Sequence, residues 1–110
     1  MGILTRLRAW GRWKITSRLR SVADVPERLP QRHAILVGGI DFDKWLVFEC
    51  PCRRGHRVVL NLDLGRWPSW RIASAIPLTI QPSVDEESSV GRCHYFVRKG
   101  RVRWIERTNK

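Results

Sequence analysis

Cys93-His94-Tyr95-Phe96-Val97-Arg98, Lys99-Gly100 and Arg101-Val102-Arg103-Trp104-Ile105-Glu106 form the stretch that decides the fold. Two runs rich in strand-favouring residues flank a Lys-Gly step suited to a tight turn with positive φ, which predicts an antiparallel hairpin with Gly100 at its bend. The same pattern continues upstream. From Pro26 the chain is broken at Pro30, Gly38-Gly39, Pro51, Gly55, Gly65, Pro68, Pro77, Pro82 and Gly91, and between the breaks lie HAILV, KWLVFE, HRVVLNL, SWRIA and PLTIQ. None of these runs is long enough for a comfortable helix. Around Trp70, apolar and polar residues alternate as in a half-buried strand. The expectation is a mainly β protein, a small antiparallel sheet or sandwich of about seven short strands.

The N-terminal stretch reads differently. Residues 1–20 carry Arg6, Arg8, Arg12, Lys14, Arg18 and Arg20 with no acid, and Ile3, Leu7, Trp10 and Lys14 follow helical spacing. A short basic amphipathic helix fits this pattern, although Gly11 weakens it. Such a segment contacts nucleic acid or anionic membrane in one reading and is a solvated arm in the other. The organisation expected is a basic extension over 1–14 and a β-domain over 15–110.

A chain of 110 residues is the size of one domain with a thin core. Hydrophobic residues at 43% and charged residues at 28% argue against wholesale disorder. No apolar run approaches the roughly 20 residues that span a bilayer, and no signal-peptide pattern opens the chain, so a cytoplasmic location is expected. A net charge of +11 attracts polyanions or acidic protein surfaces without choosing among them.

Three cysteines, two of them in Cys50-Pro51-Cys52 and the third at Cys93, suit a metal better than a disulfide in a reducing compartment. Residues two apart in extended chain point to the same side, so Cys50 and Cys52 can reach one ion. Arg53, Arg54 and Gly55 form a basic turn that brings His56 back and is expected to lower the thiolate pKa values. Three thiolates and an imidazole make a closed tetrahedral set for a structural zinc. His33 and His94 remain alternatives for the fourth position; His56 ranks first because its short loop closes at least entropic cost.

Cys93 and His94 are adjacent in an expected strand, so they leave opposite faces of the sheet. Ser83 ends PLTIQ in an expected turn, Pro82-Ser83-Val84-Asp85, and a loop of about seven residues leads on to Cys93. If the two strands pair, Ser83 and His94 approach as nucleophile and base, and Asp85 is the nearest residue to orient the imidazole.

Taken together, ECPCRRGHRVVLNL, WPSWRI, PLTIQPSV and RCHYFVRKGRVRW resemble the small bacterial domain-of-unknown-function family 6527 over about residues 15–105. The resemblance implies a peptidase that processes or deconjugates a ubiquitin-like protein, encoded beside E1-like and E2-like enzymes. Carried over position by position, it places metal ligands at Cys50, Cys52 and Cys93 and the reacting pair at Ser83 and His94. Arg53 and Arg54 stand where many members have a further cysteine. The competing reading is a non-catalytic zinc module that holds nucleic acid or an acidic partner on a basic face with Trp67, Trp70 and Trp104.

Overall fold

The computed structural model describes residues 11–109, with side chains to residue 105. Eight strands form two four-stranded sheets, one more strand than the runs in the sequence indicate. The first sheet holds β1 (Lys14–Leu19), β2 (His33–Gly38), β3 (Asp43–Glu49) and β4 (Arg57–Asn61), in that order. The second holds β5 (Arg71–Ala75), β6 (Leu78–Ser88), β7 (Gly91–Arg98) and β8 (Arg101–Asn109).

The additional strand is β1, which carries Lys14 and Arg18 of the basic N-terminal stretch. It pairs with β2 in parallel, an exception to the expected antiparallel pattern. The intervening segment 20–32 holds a single 3-10 turn at Val22–Asp24, with the Ser21 hydroxyl accepting from the Ala23 amide as its cap. Arg18 makes the pairing tolerable by reaching Asp43 and the carbonyls of Gly39 and Phe42 at the β2–β3 turn. The expected basic helix falls mainly on residues 1–10, outside the described residues. Trp13, also within the expected extension, belongs to the core: it is buried and meets Phe48 edge-on at 5.4 Å.

Both sheets contribute to one core. Leu46, Phe48, Val58 and Leu60 from the first cluster with Leu78, Ile80, Val84, Tyr95 and Val97 from the second. A smaller cluster of Val25, Ile35, Val37 and Val47 covers the other face of the first sheet. Alternation along β7 is regular, with Cys93, Tyr95 and Val97 buried between less buried neighbours. The Trp13 main chain joins the sheets, its N–H donating to Gly100 at 2.8 Å and its carbonyl accepting from Leu78 at 2.8 Å. Gly100 sits at the predicted bend with φ +76, and an added Cβ there would lie 2.6 Å from Arg12 Cβ. In a core this thin, Phe48→Ala should cost roughly 3–5 kcal/mol. Urea unfolding checks it, and a loss below about 1 kcal/mol would mean that Phe48 is not the centre of the core.

Pro82-Ser83-Val84-Asp85 is not a turn at the end of a strand. β6 runs through it to Ser88, and a two-residue turn, Ser89-Val90, replaces the expected seven-residue loop. A bulge makes this possible: between Ile80↔Val97 and Val84↔Tyr95 the register shifts, so that Pro82 is not required to donate to the ladder.

Candidate functional site

The β3–β4 hairpin builds the cysteine cluster. Cys50 donates its amide to the His56 carbonyl at 2.9 Å, and Arg53 donates to the Cys50 carbonyl at 3.1 Å, so the loop closes on itself. Arg53 and Gly55 take positive φ, 61 and 83, which turns the chain tightly enough to bring His56 back over Cys50. Gln31 caps the Cys50 carbonyl from the side, and Arg54 donates to the Val90 carbonyl in the β6–β7 turn at 2.8 Å. That contact ties the loop to the strand bearing Cys93.

The result is that ligand atoms of Cys50, Cys52, His56 and Cys93 all lie within 4.8 Å of one another. Cys93 Sγ is 3.9 Å from His56 Nε2, close to the edge of about 3.5–3.8 Å that a tetrahedral zinc site sets between its ligand atoms. All three thiols are buried and none forms a disulfide. This donor set can hold a metal ion, and His56 supplies the imidazole; His33 opens β2 and His94 lies on the other face of β7, so neither enters the cluster. Burial holds the His56 pKa below its ordinary value, the direction that favours the neutral ring a metal needs. The Cys50 thiol behaves contrary to expectation. Burial pushes its pKa far up, outweighing any help from the basic loop, so a bound cation is what would make the thiolate favourable there. A second sign of fit is the Tyr95 hydroxyl. It is buried with no hydrogen-bond partner at normal distance, yet Cys50 lies beside it closely enough to interact. A thiolate at Cys50 would offer it an acceptor.

The opposite face of the second sheet carries the other constellation. His94 points away from the cluster, as alternation requires, and its Nε2 lies 3.0 Å from Ser83 Oγ. The bulge in β6 aims Ser83 at this face. Asp85 stands directly across from His94 in the ladder, but its carboxylate is bound by Arg92, with 2.9 and 2.8 Å contacts to its two oxygens. Arg92 holds the Asp85 pKa below the usual range, and the nearby His94 acts in the same direction more weakly. Asp85, expected as the nearest residue to orient the imidazole, thus stands beside His94 as a neighbouring charge held by Arg92. Two residues that the sequence reading did not place in this role complete the site. Arg92 clamps Asp85, and Trp70 donates its indole N–H to the Ser83 carbonyl at 3.1 Å.

The three tryptophans of the nucleic-acid reading do not form a shared platform. Trp70 and Trp104 pack partly buried against the core, Trp104 against Tyr95 at 5.1 Å, whereas Trp67 is 93% exposed in the β4–β5 connection. Among the described residues no helix is long and apolar enough to cross a membrane.

A hydroxyl in contact with an imidazole on one face of a sheet, with a metal-type cysteine cluster on the other, defines a small β-protein with the elements of a serine hydrolase. A family model described as the bacterial ubiquitination-like system serine protease, BubE, matches residues 21–105, and the chain belongs to that family. The bacterial, ubiquitin-linked family inferred from the motifs agrees with this description. Comparison with curated proteins returns no match, and comparison with solved structures returns none either.

Proposed function

We propose that this protein is a serine-type peptidase acting on the C-terminal tail of a ubiquitin-like protein, with Ser83 as nucleophile, His94 as general base and a structural zinc held by Cys50, Cys52, His56 and Cys93. The observation that carries the reading is the 3.0 Å contact between Ser83 Oγ and His94 Nε2. A serine hydroxyl is a weak nucleophile at neutral pH unless a base within hydrogen-bond reach takes its proton. With Nε2 unprotonated, His94 accepts that proton as Oγ attacks the carbonyl carbon of the scissile bond. The imidazolium then returns the proton to the leaving nitrogen as the C–N bond breaks. Water, deprotonated by the same imidazole, cleaves the ester and regenerates Ser83. Asp85 stabilises the imidazolium through its charge, while its hydrogen bonds to Arg92 fix where that charge sits.

Cys50, Cys52, His56 and Cys93 would hold zinc through four protein ligands, and the ion would supply a structural staple rather than an activated water. If the Tyr95 hydroxyl donates to the Cys50 thiolate, Tyr95→Phe should weaken zinc binding about tenfold without unfolding the loaded protein. Competition with a chromophoric chelator measures this, and unchanged affinity would remove Tyr95 from the site.

The positive surface suits an acidic ubiquitin-like protein and the E1-like and E2-like enzymes of the same system, with association that weakens as salt is added. Three buried thiols without a disulfide suit a cytoplasmic location. The direct test is labelling by a fluorophosphonate, which reacts with activated serines independently of the natural substrate. Wild type should label at Ser83 and His94→Ala should not; absence of labelling in folded wild type would overturn the proposal.

A further inference from the structure

β6 outruns its neighbour. Its pairing with β7 continues from Val84 to Ser88, whereas β5 pairs with it only from Leu78 to Gln81. On the side away from β7, no described strand flanks residues 83–88.

The direction of the main chain along that side follows from the turn. Ser88 and Gly91 close a two-residue connection, the place where an antiparallel hairpin makes a hydrogen-bonded pair. Alternation makes Glu86–Cys93 and Val84–Tyr95 further hydrogen-bonded pairs. It therefore turns the N–H and C=O groups of Ser83 and Asp85 outward, away from β7. The Trp70 indole agrees, since it reaches the Ser83 carbonyl from the β5 side. The outward N–H and C=O of Asp85 have no partner among the described residues.

Resting on the peptidase reading, we infer that this edge is the substrate groove: the tail of the ubiquitin-like protein adds to β6 as an antiparallel strand, hydrogen-bonded to the Asp85 main chain, and brings its scissile carbonyl to Ser83. The occupant is an extended tail because only a chain with its own N–H and C=O groups unpaired can complete a sheet edge. The open stretch from 83 to 88 accommodates roughly 20 Å of extended chain at about 3.3 Å per residue.

Polarity follows from what closes the far end. Trp70 takes the Ser83 carbonyl, and β5 occupies the edge from Gln81 backward, so strand addition stops where Ser83 stands. An antiparallel tail enters past the Ser89-Val90 turn, keeps its folded body beyond that turn and arrives at Ser83 with its C-terminal end. A parallel tail would have to enter through the space that β5 fills. Exposed Asp85 and Glu87 also discourage this edge from pairing with a second copy of itself.

The test uses a ubiquitin-like precursor of the same system with a fluorescent protein fused after its tail. Glu87→Pro places a ring and no N–H on the edge, where proline is structurally tolerated. It should keep wild-type fluorophosphonate labelling of Ser83 while cleaving the precursor at least tenfold more slowly. Wild-type cleavage by a Glu87→Pro protein that labels normally overturns the inference. A wild type that labels but leaves the precursor intact overturns both the substrate and the groove, and a folded wild type that fails to label overturns the peptidase reading itself. Should Glu87→Pro not fold, semisynthetic precursors with single N-methylated tail amides decide the matter. Cleavage should fall at every second position, and equal cleavage at all positions overturns the groove.

Discussion

Replacing Ser83 by alanine should abolish cleavage of the ubiquitin-like precursor, by roughly 10³–10⁶-fold, with no change in fold or metal content. The hydroxyl lies 3.0 Å from His94 Nε2, on the face of the second sheet that does not meet the cysteine cluster. His94→Ala should produce a loss of similar size, because base and nucleophile act as one unit. The double variant should be little worse than either single one. Stopped-time cleavage assays on all four proteins, with zinc measured on each, settle the point. Retained activity in Ser83→Ala would eliminate the serine mechanism, and loss of zinc in His94→Ala would show that this imidazole reaches the cluster after all.

If the cysteine cluster holds its ion as proposed, removing that ion should unfold the protein. The cluster closes the β3–β4 hairpin and joins it to β7 through Cys93. An ion there would therefore link the two sheets at a point that otherwise relies on three buried thiols and the Arg54–Val90 contact. Structural zinc contributes about 10–16 kcal/mol of apparent binding energy at neutral pH, comparable with the total stability of a small domain at about 5–15 kcal/mol. A strong chelator should thus abolish the cooperative melting transition, and Cys50→Ser should be purified largely unfolded and metal-poor. Circular dichroism with elemental analysis checks both. A metal-free protein that melts cooperatively near the wild-type temperature would show that the thiols are only core.

The hairpin around Gly100 was legible because period-two alternation and a positive-φ step occur together in a few residues. The cysteine cluster was legible because thiols two apart in an extended segment share a side, and a tight loop returns His56 to them. Two features were hidden for physical reasons. β1 carries Lys14 and Arg18, and its partner β2 is separated from it by a segment whose length gives no pairing cue; parallel pairing leaves no local turn signature. β6 was cut short because Pro82-Ser83 is turn chemistry in isolation. The bulge that allows the strand to pass through it depends on β7, a tertiary partner that local sequence does not announce. The Asp85–Arg92 contact was hidden similarly, since which charge a carboxylate meets depends on register.

That Cys93 and His94 are adjacent on β7 makes the protein unusually sensitive to changes in chain length. Sliding the segment by one position would send the imidazole inward and the thiol to solvent, so one such shift would take Cys93 out of the cysteine cluster and His94 away from Ser83 together. The connection from Leu62 to Pro68, with Trp67 exposed, carries no such alternation constraint. Insertions and deletions among homologues should therefore accumulate there and be absent from the β6–β7 hairpin, a pattern that comparing lengths across the family would reveal without any biochemistry.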